Sequence, residues 1–582
     1  MLALLAAPLA AQIPAEDSRN TRIPDTDTHF SMPQYKTLAE WESRRQQLRR
    51  QILFAAGLDP MPGKTPLRPQ IFGKLERGDY SIEKVYLETL PGYYLAGNLY
   101  RPAGRGGKFP AVAHPHGHWN YGRLEHSPAG SIPARAITLA RQGYIGFTYD
   151  MVGYNDTVQT PHAFGGPAGQ LWSFGPLGLQ LWNSIRVLDF LESLPETDRD
   201  RLGVTGASGG GTQTFLLAAV DDRVKFSAPV NMISAIMQGG SPCENAPGLR
   251  AGTFNVEIGA MMAPRPMLMV SATGDWTRNT PREEFPAIRG IYELYGKSDH
   301  LENVHIDAPH NYNQASREAV YRFFGKHILG ERTPAKLTER GPRIEKLQDM
   351  LVFHGRRLPD NALSYEDLFA AWRRMSTLQL EQTAGLEAIR ARLRLALGVE
   401  WPGQVVHEDA GRMVLSRPGV GDRIPASWSD GSGAPILVVH PQGQAGARQS
   451  PAVAKWEAAK RPLLVIDAFQ TGSAVAPRDR ARCHFLTFNR TDDQHRVQDI
   501  LTALAFLRSR HDGAIDLLGL VEAAVWCAFA AAVSPHPVKL LAMPESFQGT
   551  DAEFLRVLFA PGIQRAGGWP AARRILGAEP GR

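Results

Sequence analysis

A chain of 582 residues is too long for a single hydrophobic core, so two domains of ordinary size are expected. Hydrophobic residues at 43% and charged residues at 21% exclude a disordered or fibrous protein. Lysine and arginine exceed the acids by six, with no run of five or more basic residues, so the charge reads as a solvated surface and no nucleic-acid partner is expected.

Residues 1–11 form a short apolar run ending in small residues. They read as the back half of a secretory signal peptide whose basic start is missing, which predicts a periplasmic or secreted protein. No later segment approaches the apolar length of a membrane span. The three cysteines, Cys243, Cys483 and Cys527, lack a CxxC pair and can make one bridge at most, so no disulfide framework is expected.

Leu38 to Leu58 is predicted as a helix, ended by Pro60 and Pro62. Residues 80–100 alternate like a hairpin, with Leu90-Pro91-Gly92 as its turn. A strand–loop–helix rhythm follows. Phe109–His114, Tyr144–Asp150, Leu202–Gly206, Pro266–Ser271 and Asn303–Asp307 are short apolar runs suited to buried parallel strands. Trp182–Leu194 has helical spacing. This alternation predicts an α/β fold with a doubly wound, mostly parallel sheet that binds ligands at the carboxyl ends of its strands.

The second half echoes the first. His114-Pro115-His116-Gly117 returns as His440-Pro441-Gln442-Gly443, and the strand ending at Asp150 returns as Leu464-Val465-Ile466-Asp467. Arg186-Val187-Leu188-Asp189 matches Arg496-Val497-Gln498-Asp499, and the run through Ser208 matches the run through Val521. Four landmarks in one order predict a tandem repeat. The expected division is 12–340 for a catalytic domain, 341–374 for a linker and 375–582 for a second domain.

Gly206-Ala207-Ser208-Gly209-Gly210 fits G-x-S-x-G between a strand and a helix-like run. A serine there sits on a strained turn, and the flanking glycines let the backbones pass. Its hydroxyl needs a base, and the base needs an orienting acid, in the chain order Ser, Asp or Glu, His. Asp275 follows one predicted strand and His310 the next, so Ser208, Asp275 and His310 are the predicted triad. Glu244 is the alternative acid, while His300 and His305 read as surface or packing residues.

The loop His114-Pro115-His116-Gly117-His118 is predicted to supply the His118 N–H to an oxyanion hole, together with the N–H of Gly209. Its alternate histidines also suit zinc. Because no acid or cysteine cluster is legible beside them and the repeat keeps Gln442 where His116 stands, no metal is expected. Residues 156–180, with Phe164, Trp172 and Phe174, read either as a lid or as a loop packed on the sheet. Trp172 and Trp276 are the predicted substrate-binding residues.

On the His-Pro-His-Gly loop, the G-x-S-x-G elbow, Gly274-Asp275-Trp276 and Pro309-His310-Asn311, the first 335 or so residues resemble the α/β-hydrolase superfamily. They look closest to acetylxylan-esterase-like and dienelactone-hydrolase-like enzymes, near the prolyl-oligopeptidase catalytic domain. The resemblance implies a serine esterase without a cofactor, acting on a small-molecule or carbohydrate ester such as an acetylated polysaccharide. A serine peptidase and a non-catalytic scaffold are the alternatives. The second half departs from this pattern: Val521 stands at the nucleophile position, and the acid and histidine segments have no counterpart. It reads as a truncated, inactive hydrolase repeat expected to pack on the first domain.

Overall fold

The computed structural model describes residues 16–409 and 413–578. The predicted leader, residues 1–11, lies outside them. Among the described residues no helix is long and apolar enough to cross a membrane. The chain divides into two compact units. The larger comprises Thr26–Gly165 and Phe174–Trp372; the smaller comprises the residues up to Asp25, Gly166–Ser173 and those from Arg373 onward.

The larger unit holds strands β1 (Gln70–Glu76), β2 (Tyr80–Leu90), β3 (Tyr93–Pro102), β4 (Phe109–His114), the two-residue β5 (His126–Ser127) and β6 (Gly130–Ser131), β7 (Ile145–Tyr149), β8 (Thr197–Ala207), β9 (Val224–Val230), β10 (Met267–Gly274) and β11 (Leu301–Pro309). Nine of them form one sheet in the order β1-β2-β3-β7-β4-β8-β9-β10-β11. The first three run antiparallel up to β7, and the rest are parallel from β7 to β11. Strand β9 is an element the sequence reading passed over. The other parallel strands answer to the predicted runs: β4 and β7 are apolar and buried almost throughout, as central strands covered on both faces must be, while β11 at the sheet edge is only partly buried. Helices Pro176–Ser193 and Gly209–Val220 are almost wholly buried, the first with Gln180, Asn183, Ser184 and Arg186 among its buried residues.

The smaller unit repeats this plan. Its strands are β12 (Val406–Asp409), β13 (Met413–Ser416), β14 (Ile424–Ser429), β15 (Ile436–Val439), β16 (Leu463–Ile466), β17 (Asp516–Gly519) and β18 (Lys539–Leu540). Their order is β12-β13-β14-β16-β15-β17-β18, which matches the first seven positions of the larger sheet strand for strand. The same step from antiparallel to parallel pairing falls at the same place, between β14/β16 and β16/β15. Among the described residues there is no counterpart of β10 or β11.

The expected boundaries differ from the packing in two places. Residues 341–372, read as linker, lie against the larger unit. Glu345 pairs with Arg77, Asn98 donates to the Met350 carbonyl, and Phe369 and Trp372 pack on Phe174. A composition rich in charge concealed this, because the charges are spent on specific partners. Residues 17–25, assigned by sequence to the catalytic domain, instead join the smaller unit. There Arg19 bridges Asp17 and Asp499 in a buried ion pair, and Ser18 donates to the Gly421 carbonyl.

The repeat extends to backbone strain. Ser208 has φ 59° and Val521 has φ 53°. A β-branched residue in this left-handed region is a steric outlier, costing about 1–2 kcal/mol. The Val521 side chain is exposed and recovers little of that by packing. Val521→Gly should therefore raise the stability of the smaller unit by about 0.5–1 kcal/mol, after allowing for the added freedom of the unfolded glycine. Calorimetric melting of the full chain reads this, and an unchanged or lowered transition would show that the turn is not strained.

Candidate active site

Ser208, Asp275 and His310 lie at the carboxyl ends of parallel strands of the larger unit. Ser208 follows β8 and caps helix Gly209–Val220, with φ 59° and ψ −127°. Its N–H donates to the Val230 carbonyl at 3.2 Å and its carbonyl accepts from Thr212 at 3.0 Å. The glycines beside it answer to geometry. A Cβ at Gly206 would stand 2.6 Å from both the Pro115 and Gly210 carbonyl oxygens, and one at Gly210 would stand 2.7 Å from the Pro115 oxygen. At Gly117 a Cβ would lie 2.7 Å from the Ala207 oxygen and 2.9 Å from Ser208 Cβ. The elbow and the loop after β4 thus touch backbone to backbone, at separations real Cβ atoms do not reach.

His310 follows β11, and its Nδ1 lies 3.0 Å from Asp275 Oδ2. Asp275, directly after β10, is buried, and its other oxygen accepts from the N–H of Thr277 at 2.6 Å and the Thr277 hydroxyl at 2.5 Å. The acid is fixed on one oxygen and meets the imidazole with the other, which places the Nδ1–H toward the carboxylate and leaves Nε2 as the basic nitrogen. Nε2 is buried and has no hydrogen-bond partner among the described residues. Ser208 and His310 are therefore not hydrogen-bonded to each other through that nitrogen.

Glu244, the alternative acid, is occupied elsewhere. One oxygen accepts from Thr212 and the other from the N–H groups of Gly240 and Ser241, so it holds the turn Pro242–Glu244 against the elbow helix. Trp276 stacks on His310, with ring centroids 4.4 Å apart, and its indole donates to the Asn231 carbonyl. Trp172 is not brought to this cluster. It belongs with the smaller unit, where its indole donates to Asp551. Phe164 and Phe174 pack on each other and on Tyr365 within the larger unit, so their ring partner is the helix Tyr365–Glu381 and not the sheet that the packed-loop reading expected. His300 and His305 engage the Pro264 carbonyl and Ser271, away from Asp275.

The loop after β4 is braced by Arg123, which the sequence reading did not single out, and by its own histidines. Buried Arg123 pairs with Asp150 and Asp156 and donates to Asn98 and the Met350 carbonyl. His116 spends both nitrogens: Nδ1 bonds the Gly117 carbonyl at 2.7 Å and Nε2 accepts from the Met151 N–H at 2.9 Å. Burial pushes its pKa down to about 3, with Arg123 nearby acting in the same direction. His114 is likewise held well below its ordinary range by burial. Residues 114–118 therefore form a neutral, hydrogen-bonded loop beside the serine. Gly209 opens its helix, so its N–H has no intrahelical partner. A Cβ there would meet the His118 ring at 2.8 Å, which brings the two predicted oxyanion residues together.

Because His116 is neutral when folded and titrates near 6.5 when unfolded, its contribution to stability is present above pH 6.5 and is lost as pH falls toward 3. His116→Gln, the residue the repeat carries as Gln442, removes this group. Its melting temperature should fall less than that of the parent between about pH 7 and about pH 4, and parallel curves would show that His116 does not set the slope.

No family model matches the chain. The solved structure of Methylesterase BT1017 is similar over 64% of this chain and 80% of that one, at 30% sequence identity and a TM-score of 0.51. YtaP of Bacillus subtilis (strain 168), which carries the general description of a hydrolase, is 25% identical over 305 residues, spanning 48% of this chain and 99% of its own length. The acetyl xylan esterase from Paenibacillus sp. R4 covers 51% of this chain and 97% of its own at 19% identity, with a TM-score of 0.34, too remote to bear on function.

Proposed function

Since the chain belongs to the α/β-hydrolase family of esterases that includes Methylesterase BT1017, we propose that it is a serine carboxylic-ester hydrolase acting on an esterified carbohydrate. The observation that carries this reading is the Asp275–His310 hydrogen bond set two strands' ends away from a serine on a strained elbow. His310 Nε2 takes the Ser208 proton as Oγ attacks the ester carbonyl. Asp275 holds the imidazole in the tautomer that allows this and stabilises the imidazolium. The N–H groups of Gly209 and His118 receive the oxyanion. His310 then protonates the departing alcohol, and water hydrolyses the acyl-serine by the same path in reverse.

Ser208→Ala and His310→Ala should each lower hydrolysis of short p-nitrophenyl esters by about a thousandfold or more, with unchanged melting. Asp275→Asn should leave more activity than either, and Glu244→Gln more than Asp275→Asn. Substantial turnover by a folded Ser208→Ala protein would remove the nucleophile from the scheme. On carbohydrate esters, methanol release from methyl-esterified uronates should exceed acetate release from acetylated xylan, following the 30% identity to a methylesterase. The reverse order would favour a deacetylase.

The smaller unit is proposed to take no part in the chemistry, since Val521 at its elbow has no nucleophilic atom. A fluorophosphonate should label one serine per chain, at Ser208, and mass spectrometry finding a second labelled serine would contradict this.

A further inference from the structure

The loop beside the nucleophile gathers a group of donors that hydrolysis does not use. His118 Nε2 lies 3.2 Å from His162 Nε2 and 3.1 Å from Cys243 Sγ, and the three ligand atoms all fall within 4.8 Å of one another. They come from three separate loops, after β4, β7 and β9, with 44 and 125 residues separating the partners of His118, so no spacing in the sequence announces them.

Several features make this more than a chance meeting. His162 Nδ1 bonds the Val152 carbonyl at 2.7 Å, which puts its proton on that side and leaves the Nε2 lone pair facing the cluster. The Tyr154 ring stands edge-on to His162 at 5.0 Å and holds its orientation. One imidazole nitrogen carries either a single proton or a single lone pair, so His118 Nε2 meets both neighbours only as a shared, weakened donor. A cation satisfies all three atoms together. His116 and His114 do not compete for it, since His116 spends both nitrogens and His114 Nδ1 accepts from Arg135.

We propose that His118, His162 and Cys243 bind a zinc-class divalent ion beside the nucleophile, through two imidazole Nε2 atoms and one thiolate. Zinc–nitrogen and zinc–sulfur bonds of about 2.0 and about 2.3 Å in tetrahedral geometry require the ligand atoms to stand about 3.3–3.6 Å apart, within about half an ångström of the two separations found. Three protein ligands leave a fourth position for water or a substrate oxygen. Binding releases the Cys243 proton to solvent as its sulfur becomes a thiolate ligand. Burial and neighbouring Glu244 otherwise keep that thiol protonated, so uptake should weaken as pH falls. The expectation of a metal-free loop rested on the missing partner residues, and tertiary structure supplies them.

Cobalt(II) is the probe, added to the full chain carrying Cys483→Ser so that the exposed thiol cannot contribute. The expected result is one cobalt per chain with tetrahedral visible bands and a thiolate charge-transfer band, displaced by zinc. Cys243→Ser should abolish the charge-transfer band, and His162→Gln should weaken binding more than about tenfold. If Cys243→Ser does not fold, as read by its melting temperature, His162→Gln decides. Absence of the bands, or binding unchanged in His162→Gln, would overturn the site. The outcome is independent of the esterase reading, because fluorophosphonate labelling at Ser208 is measured separately on the same samples.

Discussion

The close crossing of two backbones, the elbow at Gly206–Gly210 and the loop Pro115–Gly117, is the constraint on which the rest of the site depends. Carbonyl oxygens lie where any side chain at Gly206 or Gly210 would begin. Only with those positions bare can Ser208 hold its positive-φ conformation at the end of β8. The same crossing brings the His118 ring against Gly209, so Ser208 and its two neighbours in the proposed mechanism are placed by one contact. Such strain persists only where surrounding structure over-determines it, and the hydrogen bonds of Ser208 to Val230 and Thr212 supply part of that hold.

The remainder comes from a buried polar network that is charged in one part and neutral in another. Arg123 is enclosed with Asp150 and Asp156, and the carboxylates repay its desolvation only because Asn98, Asn155 and main-chain groups complete the hydrogen bonds. His116, next to this cation, is kept neutral and works as a brace between the Gly117 carbonyl and the Met151 N–H. A residue type usually read as a catalyst or ligand is here structural, while its neighbour two positions on has a nitrogen turned toward His162 and Cys243.

The smaller unit shows how much of the architecture persists where the elbow residue differs. It keeps the strand order, the pairing change and even the positive φ at the elbow, with Val521 standing where the larger unit has Ser208. Its strand-end aspartate, Asp467, is satisfied locally by Gln444 and Ser473, where the matching Asp150 serves Arg123. Fold is carried by many distributed apolar contacts and survives the loss of a few polar ones, whereas a catalytic site has no such redundancy.

From the sequence by itself came the fold class, the repeat, the strand ends that bear Ser208, Asp275 and His310, and the requirement for glycine around the serine. These rest on local signals: apolar periodicity, turn residues and a short motif whose spacing is fixed by one strand-to-helix turn. Tertiary structure alone decided that Asp275, and not Glu244, meets His310. Both acids follow strands, and only the sheet order brings β10 beside β11. It also decided that Trp172 belongs with Asp551 and that residues 341–372 pack on the larger unit. It alone joined His118 to His162 and Cys243. Those pairings link residues far apart in the chain, and no local pattern encodes a meeting that depends on where separate loops come to rest.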